Sequence, residues 1–362
     1  MFSVIIAVSY EKNTELCYQA LKANLPFDDR RVQLLAALLV ALFQLKTVNL
    51  TRLAVILDFS AKPDSKYRRL KRFFAEYSID WQLWAQLIVR LLLAQSKPHI
   101  LAIDRTLWQF GNSWVNILTL SLVVGNTAVP LFWTVLSHRG NSNVEQKKDL
   151  VNRYIEVFGA SKVKYLCGDR EFDSLKFVEH LEQVKMRFRL RIRSGQPITD
   201  KRGRRMLAGR VLSTMRVGDG YRLRRQRKYG EVGVWVEVAR GKTAEESVIV
   251  ISSCAADDIL LEYRSRWAIE TLFENLKSRG FELESTRLTA PERVGRLFGI
   301  LALATAWAIK TGELAAESIK VETKKHGRRA KSVFRIGSEL IQAILFEATT
   351  SVEVNIWAIL KC

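Results

Sequence analysis

Cysteine and histidine are scarce, with four of each among 362 residues. Cys17, Cys167, Cys254 and Cys362 lie far apart, with no C-x-x-C pair and no nearby histidine to complete a zinc ligand set. That excludes a zinc module, and the thiols read as reduced ones of a cytosolic protein. Internal repeats and low-complexity segments are absent, which excludes a solenoid or a disordered linker protein. The apolar run in "MFSVIIAVSY" is preceded by no basic residue and is too short for a signal peptide, so secretion is not expected. Acidic residues are also in deficit: 37 Asp+Glu against 57 Lys+Arg leave a net charge of +20. Such a charge favours a polyanionic partner, nucleic acid first and an acidic membrane surface as its rival.

Charge is missing altogether from Thr106 to Ser137, a stretch long enough to cross a bilayer. Asn112, Asn116, Asn126 and Pro130 interrupt it, and its β-branched residues suit strands. "WVNILTLSLVV", a turn at "GNTA" and "VPLFWTVLS" therefore predict two buried antiparallel strands, and no membrane partner is expected.

What is present is a globular chain, 48% hydrophobic, long enough for one large domain or two to three ordinary ones. Residues 30–58 have helical periodicity, with Leu34, Leu38, Val40, Ala41 and Leu45 on the apolar side. "SAKPD" then breaks the chain before "SKYRRLKRFFAEYSI", a predicted helix with Ser65 as N-cap and Lys66, Arg68, Arg69, Lys71 and Arg72 exposed. Helix, turn and basic helix is the order of a helix-turn-helix DNA reader; the plainer alternative is a solvated basic face.

From His99 the pattern turns to strands: "HILAID", the two apolar strands, a helix over about 143–158, "VKYLCGD", a helix near 173–185 and "RFRLRIR". In the last, Phe188, Leu190 and Ile192 alternate with Arg187, Arg189, Arg191 and Arg193. The element order predicts an α/β fold: a ribonuclease-H-like catalytic core with an inserted β-subdomain and flanking helical regions. The expected boundaries are a helical, basic DNA-binding region at 1–95, the first part of the core at 96–193 and the insertion at 194–246. The second part of the core follows at 247–285, with a C-terminal helical region at 286–362. "SVIVISS" resumes the core after the Gly- and Arg-rich insertion, an apolar helix covers "RLFGILALATAWAIK", and a basic patch "KKHGRRAKSVFR" precedes a last helix from about Gly337.

Asp104 and Asp169 each end a predicted core strand, and the first and fourth strands of such a sheet are neighbours. The helix after the insertion carries "YRSRWAIETLFENLK", in which Tyr263, Arg266, Glu270 and Lys277 fall within roughly 60° of one another at about 100° per residue. Glu270 then joins the two aspartates as a third oxygen donor. Three carboxylates without Cys or His suit a hard cation, Mg²⁺ or Mn²⁺. Two such ions roughly 4 Å apart activate water or a 3′-hydroxyl on one side of a phosphate and stabilise the leaving oxygen on the other. Arg266 and Lys277 make sense beside them as phosphate clamps. Each piece has a plainer explanation: an Asp at a strand end is commonly a turn or cap residue, and Glu270 can pair with Arg266 along the helix. Glu274 lies close to the same stripe and can substitute as ligand, while Trp267, Leu272 and Leu276 read as core.

"Y-x-x-R-x-x-x-E-x-x-x-x-x-x-K", matched at Tyr263, Arg266, Glu270 and Lys277, resembles the signature of bacterial DDE transposases of the fourth insertion-sequence family. "IDRTLW" around Asp104 and "GDREFDS" around Asp169 look like that group's first and second aspartate boxes. The resemblance runs from "SKYRRLKRFF" to "KKHGRRAKSVFR". It implies that Asp104, Asp169 and Glu270 are the catalytic, metal-binding triad, and that Arg266 and Lys277 contact phosphates at the cut transposon end with Tyr263 beside them. Arg68, Arg69 and Arg72 are the DNA-binding residues expected of the basic helix. The 101 positions from 169 to 270 leave room for a β-strand insertion. In some relatives such an insertion carries a Trp that stacks on a flipped base during hairpin formation; Trp235 is the candidate, against the plainer placement of a strand Trp in the core.

The implied function is metal-dependent cleavage and strand transfer at the ends of an insertion sequence. The implied partners are DNA, as terminal inverted repeats and target, and a second copy of the chain in the DNA complex. The expected location is the bacterial cytoplasm, on the nucleoid. No covalent protein intermediate is demanded, so Tyr263 is not read as a nucleophile. A non-catalytic DNA-binding protein derived from a transposase is the alternative; it predicts loss of a triad carboxylate, and all three are present.

Overall fold

The computed structural model describes residues 2–57, 62–318, 330–347 and 354–361. They divide into two compact units: a helical one (Met1–Gln95, Leu107–Val115, Leu272–Cys362) and a sheet-based one (Ser96–Thr106, Asn116–Thr271). The helical unit begins with α1 (Phe2–Lys22), α2 (Asp29–Leu45), α3 (Leu50–Ile56), α4 (Pro63–Glu76) and α5 (Trp81–Leu92). The Asp28, Asn49 and Asp80 side chains accept backbone N–H groups at the starts of α2, α3 and α5 and so fix where each begins. The predicted cap of α4 is corrected. Lys62 is the N-cap, Pro63 occupies the first helical position and Ser65 lies inside the helix. Proline's fixed φ and missing N–H suit that first position better than any serine two residues on. Arg68, Arg69, Lys71 and Arg72 are exposed as expected, whereas Lys66 is buried.

The sheet begins with β1 (His99–Phe110), β2 (Ser113–Val124) and β3 (Thr127–Leu136), joined by two-residue turns at Gly-Asn pairs. Gly111 and Gly125 hold φ of 56° and 58°, the left-handed backbone that such tight hairpins need. β2 and β3 pair antiparallel and are largely buried, which accounts for the charge-free stretch as sheet core. Then come α6 (Val144–Phe158), started by a capping box between Asn143 and Gln146, β4 (Val163–Gly168), α7 (Leu175–Gln183) and β5 (Phe188–Arg191). β4 pairs in parallel with β1 and with β5.

The insertion contributes β6 (Pro197–Thr199), β7 (Arg205–Leu207), β8 (Gly220–Arg222), β9 (Arg227–Tyr229) and β10 (Val232–Ala239), followed by β11 (Val248–Ser252). Only β6 and β7 form a separate ribbon; the main sheet runs β3-β2-β1-β4-β5-β11-β10-β8, with β9 also on β10. Five strands in the order 3-2-1-4-5, with strands 1, 4 and 5 parallel and helices between, are a ribonuclease-H-like core. β11 closes against β5 antiparallel and carries the same sheet into the inserted strands. β5 is buried on both faces: Phe188 and Leu190 are enclosed on one, and Arg189 is only 2% exposed on the other.

After β11 come α8 (Ile259–Tyr263), a 3-10 turn over Arg264–Arg266 and α9 (Trp267–Leu276). α10 (Pro291–Ser318), α11 (Val333–Leu345) and α12 (Ile356–Lys361) return to the helical unit. α10 is long and apolar enough to cross a membrane, yet it is the core helix of its unit, buried almost throughout from Val294 to Ala315. The Trp84 and Trp307 indole N–H groups donate to Gly299 and Ile356 carbonyls at 2.9 Å and lock α5 and the α12 start onto it. A Cβ built on Gly337 would lie 1.8 Å from the Ala308 carbonyl, so α10 and α11 can approach this closely only at glycine. Half of the basic patch "KKHGRRAKSVFR", residues 324–329, lies outside the described residues.

Candidate active site

Parallel pairing of β1 with β4 brings Ile103 opposite Gly168, so the next residues, Asp104 and Asp169, leave adjoining strands side by side. Asp104 does not end its strand as predicted, because β1 runs on to Phe110; only the pairing with β4 ends there. Gly168 is required at this point. A Cβ on it would meet Leu190 at 2.9 Å and Ile103 and Phe172 at 3.1 Å, all side chains of the packed sheet. Each aspartate spends one oxygen locally: Asp104 Oδ1 accepts from the Arg105 N–H at 2.7 Å and Asp169 Oδ1 from the Glu171 N–H at 2.8 Å. Asp169 thereby caps the short turn that follows β4, so its plainer role as a cap is real as well.

Burial is the main force on Asp104 and pushes its pKa up to about 7. The Arg105 N–H and Arg266 pull it down, and Asp169 and Glu171 add to the rise. A buried carboxyl held in this way gains by acquiring a cation.

The nearest cation is Arg266. Its Nη1 lies 3.6 Å from Asp104 Oδ2 and its Nη2 2.7 Å from Glu270 Oε1, so one guanidinium bridges two of the three expected carboxylates. Burial opposes the Arg266 charge, but Tyr263, Glu270 and Asp104 outweigh it and hold the group firmly protonated. Glu270 itself is half exposed, at 53% of its side chain. Among the described residues no group of three His, Cys, Asp or Glu side chains stands together as a ready ligand set. The all-oxygen donors fit a hard cation, with the guanidinium between the third carboxylate and the first.

The expected stripe of four residues on one helix is corrected. The 3-10 turn at 264–266 separates Tyr263, on α8, from Glu270, on α9. Tyr263 is 8% exposed, packs with Val250 and Ile259, and has a phenol OH without a hydrogen-bond partner. Burial raises its pKa strongly. Trp267, predicted as core, is 55% exposed, whereas Leu272 and Leu276 are buried. Lys277 lies in the helical unit, paired with Glu284 at 2.8 Å and 5.7 Å from the Trp108 ring. Glu274 pairs with Arg279 at 2.6 Å. Trp235 on β10 is half-buried and packs against the Val250, Ile259 and Tyr263 cluster.

Three residues that sequence reasoning passed over support the aspartates. Glu171, 11% exposed, accepts from Arg105 Nε at 3.1 Å and from the Ser142 N–H and Oγ at 3.0 and 2.8 Å. Arg105 is thereby fixed beside Asp104, with Nη2 donating to Asn141. Asp173, fully enclosed, accepts from the Arg193 N–H and pairs with its guanidinium at 3.1 Å, which clamps the far end of "GDREFDS" to the segment just after β5. The available signal was the alternation of acids at 169, 171 and 173.

Basic residues dominate the insertion: 11 Lys and Arg against Asp219 alone over 201–228. Arg202, Arg205, Arg216, Arg224 and Arg225 are exposed and make no ion pair among the described residues. A concave patch lined by Ser194, Gly195, Arg205, Met206, Leu207 and Arg210 lies on the same insertion.

Sheet order and paired aspartates define the class first: an α/β protein built on a ribonuclease-H-like core. The sequence model of the transposase DDE domain matches residues 95–307, more than half of the chain, and the chain belongs to that family. No curated protein matches it. Membership carries a transposase function, DNA as the class of partner and the divalent-metal chemistry typical of the family.

Proposed function

We propose that the protein is a cut-and-paste transposase of the fourth insertion-sequence family, acting in the cytoplasm on nucleoid DNA. It binds the terminal inverted repeats of its element, cleaves the strands there and transfers them to target DNA. The supporting observation is the adjacency of Asp104 and Asp169 on parallel strands, with Glu270 linked to Asp104 through Arg266. Asp104, Asp169 and Glu270 are the residues that would hold Mg²⁺ or Mn²⁺, which supplies activation of the attacking oxygen and charge relief at the leaving oxygen.

The chain does the rest by position and charge. Asp104 and Asp169 each keep one carboxylate oxygen free of local backbone bonds, that of Asp104 lying 3.6 Å from Arg266 Nη1. Arg266 and Lys277 neutralise phosphate oxygens at the cut end. Tyr263, buried and hard to ionise, positions its neighbours and is no nucleophile. Arg68, Arg69 and Arg72 present the exposed side of α4, in the region 1–95, to the element end. Trp235, half-buried on β10, offers an aromatic surface for a displaced base if a hairpin forms. Two ends must be cut and joined together, which calls for a homodimer on DNA.

The test is cleavage of DNA carrying the element's own ends by purified protein with Mg²⁺. Asp169→Ala and Glu270→Ala are each expected to abolish it, and undiminished cleavage by either variant overturns the assignment.

A further inference from the structure

Within the helical unit, α1, α2, the end of α3 and α4 enclose a half-open cavity of about 360 Å³. Packed interiors leave few voids larger than a water molecule, and this volume falls at the small end of the roughly 300–1,000 Å³ of ligand sites. The floor is apolar, formed by Ala37 and by Leu34 and Leu57, which are 8% and 4% exposed. Tyr10, Thr14 and Tyr18 recur at every fourth position of α1 and make one wall. The Tyr10 OH donates to the Ala37 carbonyl at 2.9 Å, which ties that wall to α2. The Thr14 Oγ1 also lines the cavity, but it is buried and has no hydrogen-bond partner. A hydroxyl in that state costs free energy unless an occupant of the cavity meets it.

The two rims carry opposite charge. Glu11 and Glu15, four apart on α1, stand on one side, and Lys66 and Arg69, three apart on α4, on the other. Glu11 and Arg69 enter no ion pair among the described residues, so the rims do not close on each other through them. An acidic rim, a basic rim and an apolar floor together match a molecule with an ammonium, a carboxylate and an apolar body. The guanidinium fork is the natural partner of the carboxylate.

We infer that this cavity binds a small zwitterion with an apolar body, of the amino-acid class, and that the bound molecule lowers the affinity for DNA by engaging Arg69. Its carboxylate takes the Arg69 fork, with Lys66, 7% exposed, adding positive charge to the same rim. Its ammonium faces Glu11 and Glu15, its body covers the apolar floor, and the Thr14 hydroxyl gains a partner. Arg69 belongs at the same time to the exposed basic side of α4, with Arg68 and Arg72. A guanidinium engaged by a ligand carboxylate is lost to a DNA phosphate, so zwitterion and DNA compete, each weakening the other by the same factor. The competition rests on the proposed DNA-binding role of α4; the binding of the zwitterion does not.

The experiment is isothermal titration calorimetry of the full chain with L-phenylalanine and ε-aminocaproate, which carry both charges, and with phenylacetate and phenethylamine, which carry one each. A zwitterion is expected to bind with a millimolar Kd or tighter, about tenfold more tightly than either single-charge probe. Preference for L-phenylalanine means that the two charges are read close together, and preference for ε-aminocaproate that they span the rims; both support the inference. No binding of either zwitterion, or equal binding of all the probes, overturns it. Glu11→Gln with Glu15→Gln, at two exposed positions, is expected to remove the roughly tenfold advantage over phenylacetate. An advantage retained in full by that variant overturns the assignment of the acidic rim. Fluorescence anisotropy with a labelled duplex then reads the competition: saturating zwitterion is expected to weaken DNA binding about fivefold, the low end for coupled sites. Undiminished DNA affinity in a chain that calorimetry shows to hold the zwitterion overturns the competition. Arg69→Gln separates the causes. If that variant binds DNA as wild type does, the DNA-binding role of α4 is what fails; if it binds DNA more weakly, the link from the cavity to Arg69 is what fails.

Discussion

The arginines of the sheet-based unit fall into two populations. Those at its centre are buried and neutralised: Arg189 pairs with Glu262 at 2.7 Å, Arg105 with Glu171 at 3.1 Å, and Arg266 with Asp104 and Glu270. Those on the insertion, such as Arg202, Arg216, Arg224 and Arg225, are exposed and lack a carboxylate partner among the described residues. One side chain thus serves two purposes, set by dielectric. In the interior a guanidinium fixes geometry and its removal is felt as stability; on the surface it contributes a field, and its removal is felt as salt-dependent affinity.

That contrast can be broken most strongly at Arg189, 3% exposed as a side chain and bonded also to the Phe188 carbonyl and the Ser252 hydroxyl. Arg189→Met strands Glu262 and is expected to cost about 3–5 kcal/mol, read by urea unfolding. Asp104 tests the interior from the opposite sign. Its pKa in the folded chain, about 7, lies above the ordinary aspartate value of 3.8, so the folded state holds this proton more tightly than the unfolded one. Stability therefore falls as pH rises from about 4 to about 7, and the loss is complete above that window. With chelator present, Asp104→Asn is expected to be more stable than wild type by about 2–4 kcal/mol at pH 8 and no different at pH 3.5, measured by thermal unfolding. An equal effect at both pH values would show that packing, not charge, sets the difference.

The exposed population predicts another phenotype. Arg224→Gln with Arg225→Gln is expected to leave stability within about 0.5 kcal/mol. If both arginines meet phosphates, the slope of log K for DNA against log salt falls by about 1.8. The smallest effect belongs to Arg204, whose pair with Asp200 is exposed: Arg204→Gln should shift stability by no more than about 0.5 kcal/mol, near the limit of a denaturant titration.

Much of the sheet was legible because its causes are local. The two-residue turn at Gly125, the uncharged apolar runs of β2 and β3 and the helix start near Asn143 all act within a few residues. The adjacency of β1 and β4 just before Asp104 and Asp169 followed from strand order, whereas the run of β1 past Asp104 to Phe110 did not. The break between α8 and α9 was not legible, since "YRSRW" contains neither glycine nor proline; the 3-10 turn there buries Tyr263 and turns Trp267 outward. Glu171 and Glu262 escaped notice for another reason. Their partners lie tens of residues away, and no spacing rule connects Arg189 to Glu262 or Arg105 to Glu171.

The pairing of β5 with β11 also sets the order in which the chain can fold. Leu190 lies opposite Ile251, 61 positions later, so the sheet cannot be completed until the whole insertion has been made and looped out. Such non-local closure is slow compared with hairpins and helices. α8, which packs against β5 and β11, must wait for it, and with α8 the turn bearing Arg266 and the start of the helix bearing Glu270. A nascent chain therefore holds its two aspartates on a partial sheet well before the last acidic residue of the site can dock.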